Sequence, residues 1–491
     1  FNKGFWTGKV MDWAMQNEEF KVQLFRFVDV LPYLNTSESL LRHIREYFTG
    51  DEAADVPKVL KWGAGAAGFG GAITGKIMGS AIRSNIEGMA RQFIIGENVK
   101  EALKGLAKLR KDGFTFTVDL LGEASVSEEE ADAYAAGYHE VLDAMAADQA
   151  KWAAHAGKGP EVGFDWGATP KVNVSIKPSA LYSQAKPVDV EDSVQGIYTR
   201  IEPIYRKVIR MGGFLCIDIE QLKYKEITIE LFKRLRSAEE FRNYPHLAIV
   251  QQAYLVDCEK DVDGLIAWGR KENLPFGLRL VKGAYWDAET VSAKQNGWPI
   301  PVWTHKPETD AAYERIAKKI LQNQDLVYFA CASHNVRTIS AVMEMAKALN
   351  VPEHRLEYQV LYGMGEPVRK GLLNVAGKVR LYCPYGELIP GMAYLVRRLL
   401  ENTANESFLK QSFADGTELD RLLENPLVSL EREKAEKTAK ASPVAPKKES
   451  LFPPFANEAM IDFTVPSNRT AFVDAMALVR KTAGRTLPLY I

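Results

Sequence analysis

Gly277-Leu278-Arg279-Leu280-Val281 is a short apolar run with one guanidinium set in its middle. A run of this length and composition reads as a buried strand. Seven other segments share its character: Phe114–Val118, Val172–Ile176, Phe214–Ile219, Leu247–Gln252, Val327–Cys331, Leu356–Val360 and Val379–Tyr382. Each is followed by a segment that can be read as helical. Alternation of buried strand with helix implies parallel strands joined by right-handed crossovers, and eight such units are the number that closes a barrel. The expected fold class is therefore α/β, a (βα)8 TIM-like barrel preceded by a helical N-terminal region. The uneven spacing of the runs implies insertions around residues 125–170 and 284–326.

Such a barrel carries its active site at the C-terminal ends of the strands. Polar residues collect there in nearly every unit. Asp119 and Glu123 follow the first run, Lys177 the second, and Asp218 and Gln252 lie in the third and fourth. Arg279 and Lys282 belong to the fifth, Ser333, His334 and Asn335 follow the sixth, and Gln359 and Tyr382 lie in the last two. A buried charge without a partner costs several kcal/mol. Arg279 thus requires an anionic or electron-rich partner, either a cofactor or a core salt bridge to Asp218.

Beyond the last run, Tyr394-Leu-Val-Arg397-Arg398-Leu-Leu-Glu401 reads as a helix with Tyr394, Arg397, Arg398 and Glu401 on one face. The paired guanidiniums form a fork suited to a carboxylate or phosphate, or else a solvated face on which one of them pairs with Glu401.

The rest of the chain bounds these readings. Hydrophobic residues make up 46% and charged residues 25% of the 491 positions, the balance of a globular protein with a large core. A net charge of −1 disfavours binding to nucleic acid. The four cysteines, Cys216, Cys258, Cys331 and Cys383, are widely spaced and read as reduced core thiols of a cytoplasmic protein. No apolar stretch reaches the roughly 18 residues a membrane span needs, so the chain is expected to be soluble or at most peripheral.

Four regions are expected along the chain: a helical arm over 1–110, the barrel over 111–425, a flexible linker over 426–450 and a C-terminal segment over 451–491. The arm shows apolar residues at helical spacing, as in Val22, Phe25 and Val28 or Leu40, Leu41 and Ile44. Within it, Gly63-Ala-Gly65-Ala-Ala-Gly68 and Gly75-Lys76 match glycine-rich nucleotide loops in form. Neither has the context: no β-branched strand precedes Gly63, and Ile77 stands where a phosphate loop needs Ser or Thr. The linker is charged and rich in Pro, Ala and Lys. The final segment is either an arm folding back on the barrel or the approach to a further domain.

The segments DLLGEAS (119–125), VSIKPSAL (174–181), CIDIEQ (216–221), VQQAY (250–254), LRLVKGAYWD (278–287), ASHN (332–335), YQVLYGMGEP (358–367) and YLVRRLLENTANESFL (394–409) together resemble the proline dehydrogenase module of bifunctional proline utilisation A flavoenzymes. The resemblance implies FAD at the barrel mouth and oxidation of L-proline to Δ1-pyrroline-5-carboxylate, with hydride passing from proline C5 to flavin N5 and electrons onward to a quinone. It makes Lys177, Arg397 and Arg398 a clamp on the substrate carboxylate, and Tyr285, Leu361 and Tyr382 the walls around the proline ring. Asp218 and Arg279 would sit beside the flavin ring.

The same resemblance gives Ile219, Gln252, Lys282, Gly283, Ala284, Trp286, Ser333, His334, Asn335, Gln359 and Glu401 contacts to FAD, and makes Glu123, paired with Arg397, a gate over the substrate. It also implies peripheral contact at the inner face of the cytoplasmic membrane and, in full-length members, an NAD-dependent aldehyde dehydrogenase domain beyond this chain. A methylenetetrahydrofolate reductase-like flavin barrel and a non-enzymatic barrel scaffold are the rival readings.

Overall fold

The computed structural model describes residues 91–152, 170–376, 378–387, 419–440 and 457–485. It also describes positions 22, 23, 26, 27, 30, 33, 34, 36–48, 88, 394, 397 and 398. Eight parallel strands close into a barrel in sequence order. They are β1 (Thr115–Leu120), β2 (Asn173–Ile176), β3 (Phe214–Ile217), β4 (Leu247–Gln252), β5 (Phe276–Val281), β6 (Val327–Ala332), β7 (Leu356–Leu361) and β8 (Val379–Tyr385). β1 pairs with β8 through Thr117 and Tyr382, which completes the ring. Each expected run is a strand, with ends shifted by at most three residues.

In chain order the helices are α1 (Ser37–Phe48), α2 (Val99–Lys111), α3 (Glu128–Asp148), α4 (Val190–Arg210), α5 (Lys225–Ser237), α6 (Cys258–Glu272), α7 (Trp286–Asn296), α8 (Lys306–Gln322), α9 (Val336–Ala348) and α10 (Glu366–Val375). Several begin where a short polar side chain satisfies a free backbone N–H: Ser127 accepts from Glu130 N, Asp189 from Asp192 N and Asn335 from Thr338 N. The space of the expected insertion at 284–326 holds two helices, α7 and α8.

Strand alternation sorts the core into two layers. Val118, Leu215, Ile217, Leu278 and Leu280 point outward and join the helices in one large apolar cluster. Phe214, Cys216, Ala248, Val250 and Tyr328 point inward and form a separate plug inside the barrel. All four cysteines are reduced and buried. Above the plug the inward positions turn polar, and this change of composition creates the site.

Two of the expected boundaries differ. The arm was expected to be helical through residue 110. Residues 94–97 instead form a non-helical strap beside the end of β8, with Ile95 N donating to Pro384 O at 2.7 Å and Gly386 N to Gly96 O at 3.1 Å. The glycine-rich stretch around 63–76 lies outside the described residues.

The linker was expected to be flexible from residue 426, yet Pro426–Lys440 is a helix, α11. It lies against α8, with Glu433 3.6 Å from His305 and Lys434 3.9 Å from Glu308. Its sequence lacks a long apolar stripe, so a search for amphipathic periodicity does not find it. A last helix, α12 (Pro466–Thr482), follows a segment that folds back on the barrel, where Met460 N donates to Asn296 O at 3.0 Å and Arg469 pairs with Glu226 at 2.6 Å.

Candidate active site

The inward positions at the upper ends of β1, β2, β3, β5 and β8 carry Asp119, Ser175, Lys177, Asp218, Arg279 and Tyr382, and these side chains form one connected network. Lys177 Nζ donates to both oxygens of Asp119, at 2.5 and 2.6 Å, and lies 3.4 Å from the Tyr382 hydroxyl. Tyr382 in turn donates to Asp218 Oδ2 at 2.7 Å. Arg279 donates to Asp218 Oδ1 at 2.8 Å and to Ser175 Oγ at 2.9 Å, with its guanidinium 5.4 Å from the centre of the Tyr382 ring. Of the two partners the sequence allows for Arg279, the salt bridge to Asp218 is formed.

Burial governs the protonation of this network. Asp119 is completely buried, and desolvation pushes its carboxyl up to about 6, with Lys177 offsetting only part of the cost. The same burial works against the Lys177 ammonium, but Asp119 and Asp218 outweigh it and hold the amine above its ordinary range.

A second network lies four residues further along the chain, at the mouth. Arg397 grips Glu123 with two parallel hydrogen bonds of 2.6 and 2.9 Å, and Tyr285 OH donates to Glu123 Oε2 at 3.2 Å. The Arg397 guanidinium lies 5.1 Å from the centre of the Tyr285 ring. Burial would raise the Glu123 carboxyl, but Arg397 overrides it and brings it below the usual carboxylate range. Tyr394, Arg397 and Arg398 are helical as the sequence suggests, and Arg398 is buried with its guanidinium 5.0 Å from the Tyr394 ring. The electrostatic influence of Lys177 on Glu123 ties the two networks together.

The remaining candidates flank this centre. Gln252 and Gln359 are buried, and each has a side-chain carbonyl oxygen without a hydrogen-bond partner among the described residues. Arg279 Nε lacks one as well. Lys282 pairs with Asp310 at 2.5 Å, yet burial still brings its amine down to about 8. Gly283 adopts φ +138°, and a Cβ there would lie 2.4 Å from the Tyr254 ring, so the bend that leads to Ala284 and Tyr285 requires glycine. His334 Nε2 accepts from Leu361 N at 3.0 Å, and Ser333 N donates to Gln359 O at 3.2 Å.

Ile219 is buried in the interior plug. Asn335 uses its side-chain oxygen to cap α9, and Trp286 is 40% exposed, its indole N–H donating to Trp303 O at 2.8 Å. Glu401 lies outside the described residues.

Asp119, named in the sequence only as a polar residue at a strand end, and Ser175 belong to the network, while Ser179 and Glu220 lie behind it, and none of the four carried a role in the sequence reading. The signal for the first two was available: the period-2 register that turns Lys177 inward also turns Ser175 inward, and Asp119 shares the inward face of β1 with Thr117, which bonds Ser175 at 3.1 Å. Nothing local marks Ser179 or Glu220, since their contacts join different βα loops.

Fold and site define a parallel (βα)8 barrel whose C-terminal mouth gathers cations and buried acceptors around a small space. A family model described as "Proline dehydrogenase" matches residues 102–411, and one described as "Proline utilization A N-terminal domain" matches residues 1–93. The chain belongs to the proline dehydrogenase family.

Among curated relatives, the bifunctional protein PutA of Escherichia coli is 32% identical over 354 residues, covering 70% of this chain and 26% of that protein. A proline dehydrogenase of Deinococcus radiodurans is 29% identical, covering 68% of this chain and 93% of that protein. The crystal structure of proline utilization A from Bdellovibrio bacteriovorus inactivated by N-propargylglycine is 43% identical with a TM-score of 0.83, covering 99% of this chain and 46% of that one. The chain thus spans about a quarter of the curated bifunctional relative and less than half of the solved one.

Proposed function

We propose that this chain catalyses the FAD-dependent oxidation of L-proline to Δ1-pyrroline-5-carboxylate, the first step of proline catabolism, and passes the electrons to a quinone. The observation that carries the reading is the convergence of Lys177, Arg279 and Arg397 on one barrel mouth, beside a wall of Tyr285, Leu361 and Tyr382. Proline has no side-chain handle beyond its ring. Only its carboxylate and amine can orient it, so cations must hold one end while apolar and aromatic surfaces hold the ring.

In this reading Lys177, Arg397 and Arg398 take the carboxylate. The carboxylate takes remaining donors of Lys177, Arg397 and Arg398 while the Glu123–Arg397 pair closes over the bound substrate and the Asp119–Lys177 pair stays intact, so no buried charge loses its partner. Tyr382 is held by Asp218 and therefore keeps its ring fixed as the substrate enters.

The unpartnered acceptors Gln252 Oε1 and Gln359 Oε1 and the donor Arg279 Nε fit a flavin, which presents both N–H groups and ring acceptors. Asp218, Arg279, Gln252 and Gln359 would serve its ring, with Lys282, Gly283, Ala284, Trp286, Ser333, His334 and Asn335, and more distantly Ile219 and Glu401, along the rest of FAD. When bound, FAD supplies the two-electron acceptor that takes the hydride from proline C5. The chain's cations make that end of the site favourable for negative charge.

No helix among the described residues is long and apolar enough to cross a membrane. The family resemblance assigns quinone access to peripheral contact of a cytoplasmic protein with the membrane surface. The test is anaerobic addition of L-proline to FAD-loaded protein. Bleaching of the visible flavin bands is expected, and bands that persist with proline but fade with another amino acid would overturn the substrate. Arg398→Met should keep FAD and lose proline affinity by roughly 30-fold, the scale of one charge-assisted hydrogen-bonding group.

A further inference from the structure

We propose that Glu220 and Ser179 are positioning residues that hold Ala124 in a left-handed bend and so aim Glu123 at Arg397 and Tyr285. The inference rests on the reading that the Glu123–Arg397 pair belongs to the proline site.

Ala124 has φ +53°, a conformation that side chains with a Cβ rarely adopt and that persists only where surrounding contacts impose it. The contacts that impose it come from the turn after β2. Ala124 N donates to Ser179 Oγ at 2.9 Å, Ser125 N donates to Ser179 O at 3.2 Å, and Ser125 Oγ donates to Ala180 O at 2.8 Å.

Ser179 is itself held from the loop after β3. Its hydroxyl donates to Glu220 Oε1 at 2.6 Å and its backbone N–H to Glu220 Oε2 at 3.0 Å. The direction matters. Because the carboxylate takes the hydroxyl hydrogen, the lone pairs of Ser179 Oγ are left facing Ala124 N. A neutral partner at position 220 would no longer fix that orientation.

Both residues are almost fully buried, Ser179 at 2% and Glu220 at 4% exposure. Glu220 has no cation within ion-pair distance among the described residues, an expensive arrangement for a carboxylate whose only product is a fixed serine. Burial pushes its carboxyl up to about 7, with the two donors of Ser179 offsetting part of the cost, while Glu123 and Lys177 face it as charges and the phenols of Tyr134 and Tyr285 sense it. Three successive βα loops are therefore linked in series, from Glu220 through Ser179 to Ala124. The last of them ends on the carboxylate that Arg397 and Tyr285 grip.

The test is a double-mutant cycle on FAD-loaded protein. The probe is tetrahydrofuran-2-carboxylate, which has the ring and carboxylate of proline but no amine to oxidise, with binding read by titration calorimetry alongside KM and kcat for L-proline. Ser179→Ala and Glu220→Gln should each weaken binding and raise KM by about tenfold, the loss of one buried hydrogen bond, with kcat changed less than about twofold. In a Glu123→Ala background, Ser179→Ala should add less than about a twofold loss.

A full loss that persists without Glu123, or unchanged affinity in Ser179→Ala while Glu123→Ala alone weakens binding, would overturn the proposal. If Glu123→Ala binds as tightly as the parent, the substrate-site reading of the pair fails first and the proposal fails with it. Glu220→Gln is isosteric and decides the matter should Ser179→Ala fold poorly.

Discussion

Asp119 and Glu123 are four residues apart, each holds a cation, and the two pairs are built by different parts of the molecule. The Asp119–Lys177 pair and its extension through Tyr382 to Asp218 and Arg279 come from strand positions, locked by the closed hydrogen-bond ladder and almost wholly shielded from water. The Glu123–Arg397 pair comes from a loop and a distant helix, with side chains 24% and 17% exposed. The inner network is a permanent floor, whereas the outer one can open and reform at small cost. A barrel that needs a rigid site and an exchangeable entrance obtains both by placing one set of charges below the strand ends and one set above them.

The sharpest break in that comparison is Asp218→Ala. Among the described residues it would leave buried Arg279 with Ser175 as its side-chain hydrogen-bond partner and would free Tyr382 from its anchor. Removing one member of a buried pair costs about 3–5 kcal/mol. A urea titration followed by far-UV dichroism should show a loss of that size. A loss below about 1 kcal/mol would mean that the floor is not held by these charges.

The eight strands were legible because each is a short apolar run between helical segments, and closure follows from their number. The cations were legible one by one, since a guanidinium inside Leu278-Arg279-Leu280 advertises its own anomaly. Some of their partners were legible too, Asp218 for Arg279 from its charge and Glu123 for Arg397 from the family resemblance. Asp119 was one of several polar residues at strand ends until closure brought it to Lys177, and Glu220 contacts Ser179 only because β2 and β3 are neighbours. The α11 helix was hidden for a related reason: it meets the start of α8 through polar side chains, and no local pattern records those contacts.

A smaller effect distinguishes the two carboxylates by the sign of their pH dependence. The folded chain raises Asp119 to about 6, above its ordinary value of 3.8, so between those limits the folded state holds a proton that the unfolded chain releases. The stability contributed by this group therefore rises as pH falls through that window, by up to about 3 kcal/mol at 1.36 kcal/mol per pH unit. Glu123 is shifted the other way, so its contribution is present above its ordinary value and is lost as pH falls through its folded one. Urea unfolding of parent and Asp119→Asn from pH 7 to pH 4 should show the parent gaining on the variant as acid is added. A parent that loses ground on the variant as acid is added would place Asp119 in the same class as Glu123, and a constant difference would mean that folding does not shift it.

The smallest change is expected where the crystallographer's eye would first go, at the two-pronged Arg397–Glu123 contact. Partly exposed ion pairs contribute at most about 1 kcal/mol, because water replaces the lost partner and the freed side chains regain rotamer entropy. Arg397 also keeps its place against the Tyr285 ring when the carboxylate is removed, which limits the damage further. Glu123→Ala should therefore unfold within about 1 kcal/mol of the parent while weakening proline binding measurably. That combination is what an entrance requires: a contact that matters to the ligand and hardly at all to the fold. Should Glu123→Ala cost as much stability as Asp218→Ala, the pair is a structural strut and the division between floor and entrance does not hold.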